Sequence, residues 1–218
     1  MDLLYGKANP CGKLAETFPM KLEDTPSYLN FPGTGHHTRY GEGVFVGYRY
    51  YDTKKMPVLF PFGHGLSYTT YRYDNLQISR TVCGPEEGIT VSLEVTNTGH
   101  MAGKEVVQLY VSDKTGTVAR PAQELKGFAG VFLRPGETKT VTMELEPRVF
   151  EWFDEENGCW RSNDGVYQLR IGSSSRSILL TAEIRHKGSP SPLPVINEDV
   201  QLGELFACEK TVGNTQEK

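Results

Sequence analysis

Apolar and polar positions alternate with period two through much of the second half of the chain. Val91, Leu93 and Val95 alternate with Ser92 and Glu94, and Val107, Leu109 and Val111 repeat the pattern. Val141, Met143 and Leu145 are set against Thr140, Thr142 and Glu144, and Tyr167, Leu169 and Ile171 against Gln168 and Arg170. Period two is the mark of a strand with one face buried. Turn signals separate these runs: Asn97-Thr-Gly99, Arg134-Pro-Gly136 and Asn163-Asp-Gly165. Pro135 presets the first central position of a turn, and Gly136 accepts the positive φ that a type II turn needs next. Further apolar runs at 76–78, 125–133 and 178–184 bring the total to about seven strands in about 115 residues. Residues 72–186 are therefore expected to form an antiparallel β-sandwich.

Residues 1–71 have no such period. Residues 1–4 read as the last turn of a helix, stopped by Gly6 and Asn9-Pro10, and residues 13–18 as one short strand. Pro26, Pro32, Gly33 and Gly35 break the next stretch into loops. Tyr40, Tyr48, Tyr50, Tyr51, Tyr68, Tyr71 and Tyr73 crowd one segment that has too little regular structure to build its own core. Such a segment needs a surface to lie on, as a wrapping arm does. Beyond residue 186, Ser189-Pro-Ser-Pro-Leu-Pro194 predicts a stiff extended linker, residues 200–208 an amphipathic turn or two of helix, and residues 211–218 a polar end.

Composition narrows the class. Hydrophobic residues make up 38% of 218, with 23 glycines and 13 prolines, which favours loops and short strands over a helical bundle. A net charge of −4 gives no electrostatic case for nucleic acid. No apolar run approaches the ~18 residues of a membrane span. Residues 1–7 lack the basic start and apolar stretch of a secretory signal, so a cytoplasmic location is the expectation for this sequence as it stands. Cys11, Cys83, Cys159 and Cys208 are irregularly spaced, with no Cys-x-x-Cys, which argues against zinc and for free thiols.

Several motifs carry a resemblance. Asn9-Pro-Cys-Gly-Lys-Leu-Ala-Glu-Thr-Phe-Pro19, Gly41-Glu-Gly-Val-Phe-Val-Gly-Tyr-Arg-Tyr-Tyr-Asp52 and Phe60-Pro-Phe-Gly-His-Gly-Leu-Ser-Tyr-Thr70 resemble the C-terminal third of family 3 glycoside hydrolases, the β-glucosidase family. Asn97-Thr-Gly99, Gly103-Lys-Glu-Val-Val-Gln-Leu-Tyr-Val111, Pro121-Ala-Gln-Glu-Leu-Lys-Gly-Phe128 and Leu133-Arg-Pro-Gly-Glu137 are similar to the fibronectin type III-like domain that ends many members. Cys11 stands where the family usually has serine. The resemblance implies a barrel with an aspartate nucleophile, an α/β sandwich domain with a glutamate acid/base, and then this segment. It also implies retaining hydrolysis of a terminal β-glycoside without metal or organic cofactor, through two carboxyls about 5 Å apart.

On that reading the fold is an immunoglobulin-like, fibronectin type III-like sandwich at 72–186. The C-terminal remnant of the α/β domain and its connecting arm precede it at 1–71, and a linker and tail come after it at 187–218. The partners implied are the upstream catalytic domains and, for the whole enzyme, a β-glucoside substrate. No residue here matches either family carboxylate, so the resemblance assigns no catalytic, cofactor-binding or metal residue. The chain reads as a fragment beginning after its own active site, because the resemblance places the nucleophile and the acid/base upstream of these motifs.

Other candidate chemistry competes with simpler roles. Glu42 and Asp52 would have to face one cleft to act as an acid/base pair; the simpler role for Glu42 is to meet Arg49 or another buried polar group. The tyrosines anchor the arm or stack on sugar rings. His36-His37 lacks a third ligand, His64 sits in a glycine-bounded turn, and Gly41-x-Gly43 is not followed by a helix start with Lys-Ser/Thr. Ser67 and Ser173 to Ser175 lack a nucleophile setting. Trp152 and Trp160 flank Glu155-Glu-Asn-Gly158, an expected hairpin; they either form a sugar-contact platform or one of them plugs the end of the sandwich core. The functional alternatives are a structural part of a glycosidase and a stand-alone carbohydrate- or protein-binding sandwich. A third is a chain that folds poorly alone and exposes Phe45, Tyr48, Tyr50 and Phe60.

Overall fold

The computed structural model describes residues 1–189. In chain order the elements are β1 (Phe18–Pro19), a 3-10 turn (Leu22–Asp24), α1 (Tyr48–Thr53), β2 (Val58–Phe60), β3 (Tyr71–Ile78), β4 (Val82–Cys83), β5 (Ile89–Asn97) and β6 (Gly103–Asp113). They continue with β7 (Glu124–Leu133), β8 (Thr138–Leu145), a second 3-10 turn (Pro147–Phe150), β9 (Trp152–Asp154), β10 (Cys159–Arg161), β11 (Gly165–Gly172) and β12 (Ile178–His186).

Two sheets make the sandwich. One has strand order β4-β12-β11-β6-β7 and the other β3-β5-β8. All pairings are antiparallel except β4 with β12. The alternation read from the sequence places one set of side chains between the sheets. Val91, Leu93 and Val95 face Met143, Val141 and Lys139 across the β5–β8 ladder, and Leu109 and Val111 face Ile171 and Leu169 across β6–β11. Val91, Val95, Val107, Leu109, Leu133, Leu169 and Ile171 are fully buried there. All seven expected strands are present as the long ones; β4 and the β9–β10 hairpin are additional short elements. Gly136 turns with φ 74°, and Glu137 N–H donates to Arg134 O at 2.9 Å, as the Arg134-Pro-Gly136 signal requires.

The region before β3 departs more from expectation. Residues 1–4 form a single turn, closed by Tyr5 N–H donating to Met1 O, and not the end of a regular helix. Of residues 13–18 only Phe18 enters a strand, β1, paired with β2; Leu14 instead exchanges backbone bonds with His64 O and Gly63 N–H. Helix α1 falls in a segment that showed no periodicity. The linker, helical turn and polar end read at 189–194, 200–208 and 211–218 lie, save for Ser189, outside the described residues.

Phe150 is fully buried in the core, stacked on His186 at 4.7 Å and edge-on to Tyr167 at 5.1 Å. His186 is fully buried, its Nδ1 lying 3.3 Å from Cys83 Sγ and its Nε2 without a partner. Burial lowers its pKa below the ordinary value, with Asp164 pulling the other way. Between that lowered pKa and the unfolded value of ~6.5, the unfolded chain binds a proton the folded chain refuses. Stability contributed at this position is therefore present above ~6.5 and lost as pH falls below it. Comparing urea midpoints at about pH 7.5 and pH 5, the drop is expected to be smaller in His186→Gln than in the unsubstituted chain; equal drops would contradict this.

Candidate functional site

The feature that sets this sandwich apart is the cover over its outer face. Gln108, Tyr110 and Ser112 project from β6 away from the core, yet each is buried. They are buried because α1 and residues 58–65 of the arm lie across the outer face of the five-stranded sheet. Tyr48 stacks on Phe62 at 4.5 Å and meets Tyr110 edge-on at 6.0 Å. Its hydroxyl accepts the Leu125 N–H at 2.7 Å, and Thr53 Oγ1 accepts the Ala122 N–H at 2.9 Å. Gln108 Nε2 donates to Gly63 O at 3.1 Å and to Ser173 O at 2.7 Å, while Ser175 N–H donates to Phe62 O at 2.9 Å. Gly63 has φ 77°, a conformation that strains any residue with a side chain, and a Cβ there would displace the Gln108 amide that bonds its carbonyl.

Charge completes the joint at two places. Arg176, in the turn between β11 and β12, donates from Nε to Asp52 Oδ1 at 2.7 Å and from Nη2 to Met56 O at 2.8 Å and Tyr51 O at 3.3 Å. At the other end, Lys13 Nζ reaches Glu105 Oε1 at 3.3 Å, and Tyr73 OH donates to the same oxygen at 2.9 Å. Burial, with Glu105 beside it, pushes the Tyr73 phenol up and keeps it protonated as that donor. Between these clamps, burial works to raise the Glu124 carboxyl, but Lys126, Arg120 and Arg49 hold it below its ordinary value. Within the arm itself, Asn9 Oδ1 accepts from Tyr68 N–H at 2.8 Å and from Ser67 Oγ at 3.1 Å.

Asp52 is thus a docking group and does not pair with Glu42. Glu42 lines a separate cleft of about 570 Å³ with Thr17, Tyr48 and Arg49. Its Oε2 and Thr17 Oγ1 are buried without a partner there, while Arg49 lies 3.9 Å from Glu124. The expected Glu42–Arg49 meeting is not made. His36 and His37 are exposed in a loop, and among the described residues no group of three His, Cys, Asp or Glu is placed to hold a metal. His64 stacks on Phe60 at 5.3 Å in the turn. Ser67 Oγ donates to Asn9 Oδ1, and Ser174 Oγ accepts the Ser177 N–H. Cys11, Cys83 and Cys159 are free thiols; Cys208 lies outside the described residues.

Trp152 and Trp160 sit on the expected hairpin, β9–β10, but play unlike parts. Trp152 is half-buried and donates from Nε1 to Asn163 Oδ1 at 3.1 Å. Trp160 is 48% exposed, edge-on to Phe153 at 5.4 Å, with the Arg148 guanidinium 4.1 Å over its ring. Neither plugs the core, because Phe150 already fills that place. Of Phe45, Tyr48, Tyr50 and Phe60, only Phe60 is exposed, so the large apolar patch expected from all four does not form.

The geometry defines a two-sheet β-sandwich with an irregular arm, residues 1–68, fastened to its outer face. A fibronectin type III-like family model matches residues 105–175, and the model of the glycosyl hydrolase family 3 C-terminal domain matches residues 1–68. The chain belongs to glycoside hydrolase family 3 and corresponds to the C-terminal part of its relatives. Thermostable beta-glucosidase B of Acetivibrio thermocellus is 52% identical over 211 residues, 97% of this chain and 27% of the relative. An exo-alpha-(1->6)-L-arabinopyranosidase of Bifidobacterium breve is 43% identical over 194 residues, 89% of this chain and 25% of the relative. The crystal structure of a Bifidobacterium adolescentis GH3 beta-glucosidase superposes with a TM-score of 0.90 at 41% identity, over 98% of this chain and 31% of that one. The chain therefore spans about a quarter of the length of the curated relatives it matches.

Proposed function

We propose that this segment is the architectural C-terminal part of an exo-acting β-glycosidase, of β-glucosidase type, whose catalytic carboxylates lie in upstream domains. One observation carries this reading. Residues 1–68 expose Leu4, Tyr5, Leu22, Leu29, Phe31 and Tyr40, among others, whereas the longer sandwich exposes fewer large apolar side chains, Phe128, Phe132 and Trp160 among them. Exposed apolar surface on that scale marks an interface. The buried, partnerless Glu42 Oε2 and Thr17 Oγ1 point the same way, since buried polar atoms are normally satisfied by a neighbour.

In such an enzyme the joint acts at a distance. The segment that ends the α/β domain is pinned to the sandwich by Arg176, Glu105 and Tyr48. That limits how far the domain carrying the acid/base can move relative to its own last strands. Sugar choice belongs elsewhere: a glucosidase and an arabinopyranosidase share this segment at comparable identity.

A stand-alone carbohydrate-binding module is the second reading, favoured by the exposed Trp160 and Phe153 pair. Against it, one face of Trp160 is taken by Arg148 and Trp152 is committed to Asn163. The test of the proposed role is hydrolysis of a chromogenic aryl β-glucoside by the purified 218-residue chain. No turnover above buffer is expected. Turnover abolished by Glu42→Gln or Asp52→Asn would overturn the reading and place the chemistry here.

A further inference from the structure

One cleft on the outer face of the five-stranded sheet holds polar groups that the joint leaves unsatisfied. It encloses about 560 Å³ between the end of α1 and the loops after β6 and β11. Gln123 and Ser175, 2% and 3% exposed, form part of its lining. Gln123 uses its amide nitrogen on Ser175 O at 2.6 Å and Asp52 Oδ2 at 3.3 Å, so its Oε1 is left with no donor. Ser175 Oγ and Arg170 Nε are likewise buried without partners.

The lining is also unbalanced in charge. Lys55, Lys114, Arg120, Arg170 and Arg176 face it against the carboxylates of Asp52 and Asp113. Asp52 is taken by Arg176, and Arg120 lies 2.6 Å from Glu124 and 3.6 Å from Asp113. Lys55, Lys114 and Arg170 make no ion pair among the described residues. Lys55 is held at φ 53°, a left-handed conformation that costs a side-chain-bearing residue free energy, by the reversal after α1.

These two features select a ligand chemistry. A bare anion such as hydrogen phosphate would serve the cations but has at most its own P–OH, held beside the charge, to offer Gln123 Oε1 and Ser175. A neutral sugar would serve Gln123 and Ser175 but leave the cations unanswered. A small molecule with both an anionic group and hydroxyls answers both, and the volume suits one sugar-sized unit. We propose that this cleft binds a hydroxylated organic anion, the chemistry shared by uronic acids and sugar phosphates. Arg170, Lys114 and Lys55 hold its charge, and Gln123 and Ser175 hold its hydroxyls. The proposal stands on this cleft alone and does not depend on the architectural role above.

Calorimetric titration of the full chain with glucuronate, glucose 6-phosphate, glucose and inorganic phosphate tests it. At least one of the two charged sugars is expected to bind with a Kd in the millimolar range or tighter, and glucose and phosphate at least ~10-fold more weakly. The tighter of glucuronate and glucose 6-phosphate identifies carboxylate or phosphate as the source of charge. The Lys114→Gln, Arg170→Gln double variant should lose ~10-fold or more in affinity while keeping its urea midpoint. In the unsubstituted chain, the ligand should slow hydrogen exchange at the Gln123 and Ser175 amides. Equal binding of glucose or of phosphate, no binding at about 10 mM, or protection confined to other amides would overturn the proposal.

Discussion

Replacing Arg176 with alanine is expected to loosen the arm by about 3 kcal/mol. Three charge-assisted bonds go at once, to Asp52 and to the carbonyls of Met56 and Tyr51. The Asp52 side chain, only 9% exposed, is then left with Gln123 Nε2 at 3.3 Å as its remaining partner. A buried charge stripped of its counter-ion accounts for most of the loss, and the partial exposure of Arg176 keeps it at the lower end of the range for buried pairs. In hydrogen exchange the Tyr50 and Tyr51 amides should open about 100-fold more often, while Val91 and Leu169 in the core change far less. Arg176→Lys should recover only part, because an ammonium cannot reach three acceptors with a planar fork. An unchanged exchange pattern would mean that the contacts of Tyr48, Thr53 and Gly63 hold the arm without Arg176.

Lys13→Met is the second large effect, also about 3 kcal/mol, read as a fall in the urea midpoint. Glu105 has 6% of its side chain exposed and relies on Lys13 and Tyr73. Methionine preserves the aliphatic stem but leaves the carboxylate with a single neutral donor. The combination Lys13→Met with Glu105→Gln should restore at least half of the loss, since glutamine removes the charge and still offers Tyr73 an acceptor. If the double variant is as unstable as Lys13→Met, the packing of the Lys13 stem, and not its charge, is what matters.

How these residues could have been found in the sequence differs from case to case. The sandwich was legible because a half-buried sheet imposes period two, and about 115 residues of it leave little alternative. Helix α1 was not. It has six residues, Gly47 at its start has φ 54°, and no side chain caps it. A helix that short is not stable in isolation; Asp52, Thr53 and Tyr48 form one because the sheet beneath holds them. Asp52 stood out in the sequence for the wrong reason, as a candidate acid, when its work is to meet Arg176, more than a hundred residues away. Glu105 could have been found. It shares the parity of Val107, Leu109 and Val111, so period two alone puts a carboxylate on the core face and calls for a cation. Gln108 and Tyr110 carried a signal too, since the nearly unbroken apolar run through β6 marks a strand covered on both sides. Arg176 had no comparable mark, because a cation in a serine-rich turn reads as solvated.

The most direct measurement of the architectural role is a segment exchange in the Acetivibrio thermocellus relative, with this chain replacing the matching 27% of its length. Turnover of an aryl β-glucoside by the exchanged enzyme should fall within ~10-fold of the parent, while the parent shortened by that segment should lose more than ~1000-fold. A shortened parent that keeps its full kcat/KM would show that the segment holds nothing in place for catalysis.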